Sequence, residues 1–266
     1  MRLNSDGTWT FFPSSGANLT SSGVPIVADT WMYLELKVVI GATGSVQIRV
    51  NGTLVLNASS IDTMSGSVAE WTSVRWAYNP GAYGPPSYGG SGQSGYLRID
   101  DFYLLDGTTG TYRANNDFWG DTSVRYLQPS ADTATKDWSR SAGSDNYALV
   151  AEGGSVPQTP DDDTTYISTS TVDGTDLYDF PAVTSGATIT GVQAVIAAKK
   201  GDTGSAQVAA ICKSASTTEE HPSPLGVASD SAYSYFLFPW NGDPNATSDW
   251  TESTLNAAQF GPRKTA

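Results

Sequence analysis

The chain has one cysteine and one histidine in 266 residues. Cys212 alone excludes an internal disulfide and a zinc knuckle. His221 alone excludes a two-histidine metal site within the chain. Basic charge is also scarce: 14 Lys and Arg stand against 27 Asp and Glu, a formal net charge of −13. That balance argues against a nucleic-acid partner, whose phosphates need Lys and Arg. It also disfavours anionic membrane surfaces. Long apolar runs are missing, and the longest, near Val195–Ala198, is far short of a membrane span. No apolar stretch follows Met1-Arg2-Leu3-Asn4-Ser5-Asp6, so no secretory signal is expected and folding in a reducing cytoplasm is. Charged residues make up only 15%, which excludes a charge-driven disordered chain. A hydrophobic fraction of 39% with 11% aromatics can bury a core in one large or two ordinary domains.

What is present reads as β-structure. Short alternating apolar runs lie between clusters of Gly, Asn, Asp, Ser and Thr. Trp31–Ile40 puts Met32, Leu34, Leu36, Val38 and Ile40 on one face, with Tyr33, Glu35 and Lys37 on the other. After the Gly41–Gly44 turn, Val46, Ile48 and Val50 point inward while Gln47 and Arg49 point outward. Asn51-Gly52 signals a type I′ hairpin, because both central residues need positive φ, and Thr53–Asn57 should pair back across it. Asn79–Gly95 reads as an exposed Gly/Pro-rich excursion, followed by a strand-like Tyr96–Asp106.

Gly107–Asn116 reads as a linker. Further strands are expected at Ser123–Leu127, Thr164–Ser168, Leu177–Phe180, Thr188–Lys200, Ala206–Lys213 and Tyr233–Phe238. Asp249 with Glu252 resembles a capping box opening a short helix at Leu255–Ala258, the single helix expected. The fold class is therefore all-β: two antiparallel sandwich domains, residues 1–112 and 119–266, joined by a linker at 113–118. Cys212 falls on a buried strand as a small core hydrophobe.

Several catalytic patterns fail on context. Gly90–Gly95 fits the dinucleotide pattern G-x-G-x-x-G, yet it follows Pro85-Pro86 and opens a strand rather than a helix. His221 lies in Glu-Glu-His-Pro-Ser-Pro, a solvated turn by composition, with no nucleophile elbow beside it. Glycoside hydrolysis needs a carboxylate pair, but Asp100 and Asp101 are adjacent and point to opposite faces of a strand. The run Asp161, Asp162, Asp163 offers oxygen ligands for calcium, against the plainer reading of a solvated turn. No catalytic residue is assigned, and no cofactor other than that calcium is expected. Sequons at Asn18, Asn51, Asn57 and Asn245 carry little weight without a secretory signal. Trp76, Tyr78, Tyr83 and Tyr88 are the candidate ligand contacts. Loop-borne Tyr among Gly and Ser makes an adaptable surface on which sugars can stack, and the alternative is packing of the loop on its own domain.

Three segments carry a family resemblance: Trp31–Val38, Gly44–Gly52 and Ile99–Asp106. Together they resemble the C-terminal half of a concanavalin A-like (laminin-G-like) jelly roll. Asn116–Asp121, Pro160–Tyr166 and Trp250–Gly261 resemble a second β-module. The pairing is similar to structural proteins of tailed bacteriophages and prophages. The resemblance implies a non-enzymatic protein on the outer surface of the virion, as a tail fibre, a tail-associated component or a capsid decoration. It would fold in the host cytoplasm, with other virion proteins and copies of itself as partners and no membrane insertion. The first half of such a jelly roll should lie upstream of Met1 or be supplied by another subunit, because an isolated half-sandwich exposes its edges. Laminarinase-type relatives of this fold cluster acidic residues on one strand. Here Tyr33–Ile40 offers only Glu35, a departure that argues against a hydrolase. The alternative function is a carbohydrate-binding module that mediates host-surface adhesion.

Overall fold

The structure, a computed structural model, describes residues 2–3, 8–13, 16–23, 30–64, 66–67, 99–105, 107, 117–151, 161–246 and 248–266. It is all-β with antiparallel sheets. The chain divides into two units, Met1–Leu105 with Asn116–Val124, and Asp106–Asn115 with Arg125–Ala266. The sequence reading starts its second domain at Trp119, whereas residues 117–124 group with the first unit.

The described residues of the first unit form two three-stranded sheets. One is β1 (Arg2–Leu3), β2 (Trp9–Phe11) and β3 (Leu19–Thr20). The other is β4 (Leu34–Val39), β5 (Gly44–Val50) and β6 (Thr53–Ile61). Trp9 and Phe11 of the first sheet share a core with Val46, Ile48, Val50 and Val55 of the second. The strict alternation along β5 is why: Val46 and Ile48 are fully buried and Val50 nearly so. Asn51 (φ 48°) and Gly52 (φ 77°) make the expected turn, and the Asn51 side chain accepts from the Tyr33 amide at 3.0 Å. Thr63 closes the other end by accepting from the Gly41 amide and donating to the Val39 carbonyl.

Three expectations for this unit and its border with the second fail. In β4 the residue that is buried is Glu35, at 6% exposure, while Leu36 is exposed. The face that periodicity assigns to solvent is covered. Residues 99–105 are not a strand. Asp101 adopts φ 50°, and the Asp100 carboxylate accepts the Asp101 amide at 2.9 Å, so local side-chain bonding replaces a ladder. Nor are residues 123–127 a strand, and the Val124 amide is taken by the Asp101 carboxylate at 2.7 Å.

The second unit comprises β7 (Ala131–Lys136), β8 (Ser139–Arg140), α1 (Asn146–Val150), β9 (Ile167–Ser168), β10 (Asp176–Asp179), β11 (Val192–Ala198) and β12 (Gln207–Ser214). After these come β13 (Thr217–Glu220), β14 (Leu225–Gly226), β15 (Ser234–Trp240), α2 (Glu252–Asn256) and β16 (Gln259–Lys264). The main sheet runs β13-β12-β16-β10-β7, with β14 also on β12, and β11 and β15 form a separate two-stranded ribbon. The core joins the two layers. Val208, Ala210 and Cys212 of β12 and Phe260 of β16 pack with Phe236, Phe238 and Trp240 of β15 and with Trp250. Cys212 is fully buried, as its strand position implies. Burial, then the Asp243 and Glu219 carboxylates, push its thiol up to about 12.

Gly261 sits where β16 passes β10, and a Cβ there would collide with the Asp176 carbonyl. Pro262 follows it. The β10–β16 register is confined to Tyr178 opposite Phe260, so a missing amide is tolerated in the middle of the sheet.

Here too the structure corrects the sequence. A second helix, α1, exists. Its N-cap, Asp145, makes no side-chain capping bond, and Asp132 of β7 accepts the Asn146 and Tyr147 amides instead. The cap of α2 is Thr251 with Thr254, not Asp249 with Glu252. Only Ile167–Ser168 of the Thr164–Ser168 segment is strand, because the Thr164 and Thr165 amides bond back to Asp161. His221 is half-buried, edge-on to Phe238 and Trp240 at 5.3 and 5.5 Å, rather than in a solvated turn. Among the described residues no helix is long and apolar enough to cross a membrane.

Candidate functional site

The most site-like feature of the first unit lies on the outer face of β4 and β5. Glu35 and Arg49 face each other across the two strands. Residues 99–105 and 117–124 lie over them. Glu35 Oε1 accepts from the Gly120 amide at 2.7 Å and from the Tyr103 hydroxyl at 3.2 Å. Burial, then the Glu35 carboxylate, raise the Tyr103 hydroxyl well above its usual range, so it stays a donor. Tyr103 stacks on Trp119 with centroids 5.6 Å apart. The Arg49 guanidinium lies 4.0 Å over the Phe118 ring, and Lys37 pairs with Asp117 at 3.7 Å.

The arrangement resembles a clasp more than a reaction centre. It brings one carboxylate inside, and Asp117 remains largely in solvent. General acid–base cleavage of a glycosidic bond needs two carboxyl groups across the bond. Glu35 Oε2 is buried and makes no hydrogen bond. A ligand could reach it only if the covering segments moved.

The second unit has its own buried polar network. Asp176, fully buried, accepts from the Trp138 amide at 2.8 Å, Asn146 Nδ2 at 2.6 Å and the Tyr178 hydroxyl at 2.9 Å. Asn146 Nδ2 also donates to the Trp138 carbonyl at 2.9 Å. Burial, then the Asp176 charge, raise the Tyr178 hydroxyl. Burial works against the charged form of Asp132. Lys136 and the Asn146 and Tyr147 amides outweigh it and hold that carboxyl below its usual range. The bonds from the Trp138 amide, from Asn146 and from Tyr147 tie α1 and the Trp138 turn to β7 and β10.

The three candidate calcium residues diverge. Asp161 accepts the Thr165 amide and hydroxyl at 3.0 and 2.7 Å. Asp162 takes φ 54° at the turn, and its carbonyl accepts from the Tyr233 hydroxyl. Asp163 binds Lys199 at 2.6 Å and accepts from Tyr233 at 3.2 Å, and Lys199 lies 5.1 Å over the Tyr233 ring. Lys199, helped to a lesser degree by Tyr233, lowers the Asp163 carboxyl against its desolvation. Among the described residues no group of three or more His, Cys, Asp or Glu could hold a metal ion. Trp76, Tyr78, Tyr83 and Tyr88 lie outside the described residues.

Sequence reasoning missed both buried networks. Glu35 was visible only as the lone acid of its strand. Asp176 carried no signal of its network, because apart from Tyr178 its partners come from 30 and 38 residues away. Comparison with known proteins finds no family model, no curated protein and no solved structure that matches this chain.

Proposed function

We propose that this chain is a non-enzymatic structural protein of the outer surface of a tailed phage particle, built to be assembled rather than to turn over a substrate. Fibre, tail-associated component and capsid decoration all fit this role. Its partners are other virion proteins and copies of itself. The observation that carries the reading is the use made of acids at the sheets. Buried Glu35 and Asp176 and half-buried Asp132 are each spent on backbone amides and on fixed tyrosine, asparagine or lysine partners, which pins segments to sheets. A hydrolase would instead converge two carboxyl groups on an open cleft. The acidic, disulfide-free, β-patterned sequence suits a chain that folds in a reducing compartment before assembly. Mass spectrometry of purified particles tests this directly. The polypeptide should be present at a fixed stoichiometry, and its absence from particles would overturn the proposal.

A further inference from the structure

The ribbon of β11 and β15 has a face the core does not use. The two strands pair along their whole length without a register shift, from Val192 opposite Trp240 to Ala198 opposite Ser234. Ala194, Ile196, Phe236, Phe238 and Trp240 turn to the core. Val195, Leu237 and Tyr235 point the other way and are 51%, 54% and 61% exposed. No charged residue occurs in either strand. Among the described residues β11 pairs only with β15, and no described strand lies on its outer edge.

Other outer strands carry protection of the kind that discourages strand addition. β7 has Asp132 and Lys136 and a register shift against β10. β13 is four residues long and ends in Glu219-Glu220. β6 has two register shifts and Ser60 at φ 56°. β15 contains Pro239. β11, Val-Gln-Ala-Val-Ile-Ala-Ala, has no charge, proline or bulge.

We infer that β11 is a self-association edge: two copies of this chain pair through it, antiparallel about a two-fold axis at Val195, to form a continuous four-stranded ribbon. Three observations select a second copy as the occupant. An edge that pairs with its own sequence about a two-fold axis is self-complementary, the isologous contact that closes a dimer. With Val195 opposite its own counterpart, Gln193 meets Ala197 of the partner subunit and outward residues stay outward, so both apolar patches merge on one side. Charge fixes both partner and direction. A chain of net charge −13 meets its like with least repulsion where charge is absent, and β11 with β15 provides such a surface. The antiparallel register sets Lys199 and Lys200 beside the uncharged Gly191 and Thr190 of the other copy, whereas a parallel one would align the lysines. The contact is small, so the association is weak and concentration-dependent in solution. It gives a surface to the self-assembly within the proposed function and rests on that reading only there. Copies could still meet through other faces on a particle if this edge were idle.

Sedimentation of the purified full chain over a concentration series tests it. Wild type should shift reversibly from monomer to dimer. Val195→Lys and Val195→Glu, at an exposed position, should each weaken the dimer at least tenfold while thermal unfolding stays unchanged. The decisive arm mixes the two variants: opposite charges across the two-fold should restore the dimer. A wild-type chain monomeric to its solubility limit would overturn the inference. So would a dimer indifferent to Val195→Lys, or variants that fail to complement each other.

Discussion

The two units treat their sheet faces in opposite ways. In β4 and β5 both faces are covered, Val46, Ile48 and Val50 by the core and, on the polar face, Glu35 and Arg49 by Tyr103, Phe118 and Gly120. In β11 and β15 the outward face is apolar and remains open. A two-residue period therefore reports that a strand has two unlike faces, not that the second of them meets water. The cores differ as well. The first is largely aliphatic around Val46, Ile48 and Val50, and the second is aromatic around Phe238, Trp240, Trp250 and Phe260.

The largest expected effects test the cores. Phe238→Ala should destabilise the second unit by about 3–5 kcal/mol, and Ile48→Ala the first by about 2–5 kcal/mol, read from denaturant unfolding. Cys212 reports on the second unit independently. Its raised thiol pKa and burial predict no reaction with thiol reagents near neutral pH until that unit opens. Rapid labelling of the folded wild type would contradict the packing described above.

The polar networks come next. Asp176→Ala strands an amide, a carboxamide and a phenol, and should cost about 2–3 kcal/mol. Glu35→Gln keeps the shape of the clasp and loses its charge, for about 1 kcal/mol, with faster hydrogen exchange expected at the Gly120 amide. If Glu35→Gln proved the costlier of the two, the contrast between clasp and buried network would be reversed.

Acid sharpens the comparison further. The folded Asp132 carboxyl titrates below its unfolded value, so its contribution is complete above about pH 4 and is lost as pH falls through the folded value. Asp132→Asn should therefore be less stable than wild type at neutral pH, with the gap closing under acid. A constant gap across pH would remove Asp132 as the cause. Asp163→Ala, at the exposed Lys199 pair, should leave the unfolding midpoint unchanged.

Much of the fold was legible where chemistry is local. The Asn51-Gly52 turn, the β5 alternation and the buried Cys212 strand each follow from residues that are neighbours in sequence. What stayed hidden depends on distant partners. Ala-Asp-Thr-Ala-Thr-Lys does not read as a strand, and β7 exists because β10 pairs with it. The first turn of α1 is capped by Asp132, 14 residues earlier, and not by its own N-cap residue Asp145. Tyr96–Asp106 reads as a strand, but in its described part the Asp100 carboxylate captures the Asp101 amide and the Asp101 carboxylate that of Val124. The candidate site was legible only as a composition, a single acid among aromatics. The folding that encloses Glu35 comes from a segment more than 60 residues away.

The close passage at Gly261 has a consequence for variation. Any side chain there would have to displace the Asp176 carbonyl, and with it the strand that carries the buried acid. In a saturation library selected for solubility, position 261 should tolerate glycine alone. Phe260, one residue before it, should accept other large apolar residues. One hydrogen atom in place of a methyl group thus decides whether the last strand of the chain can seat itself at all.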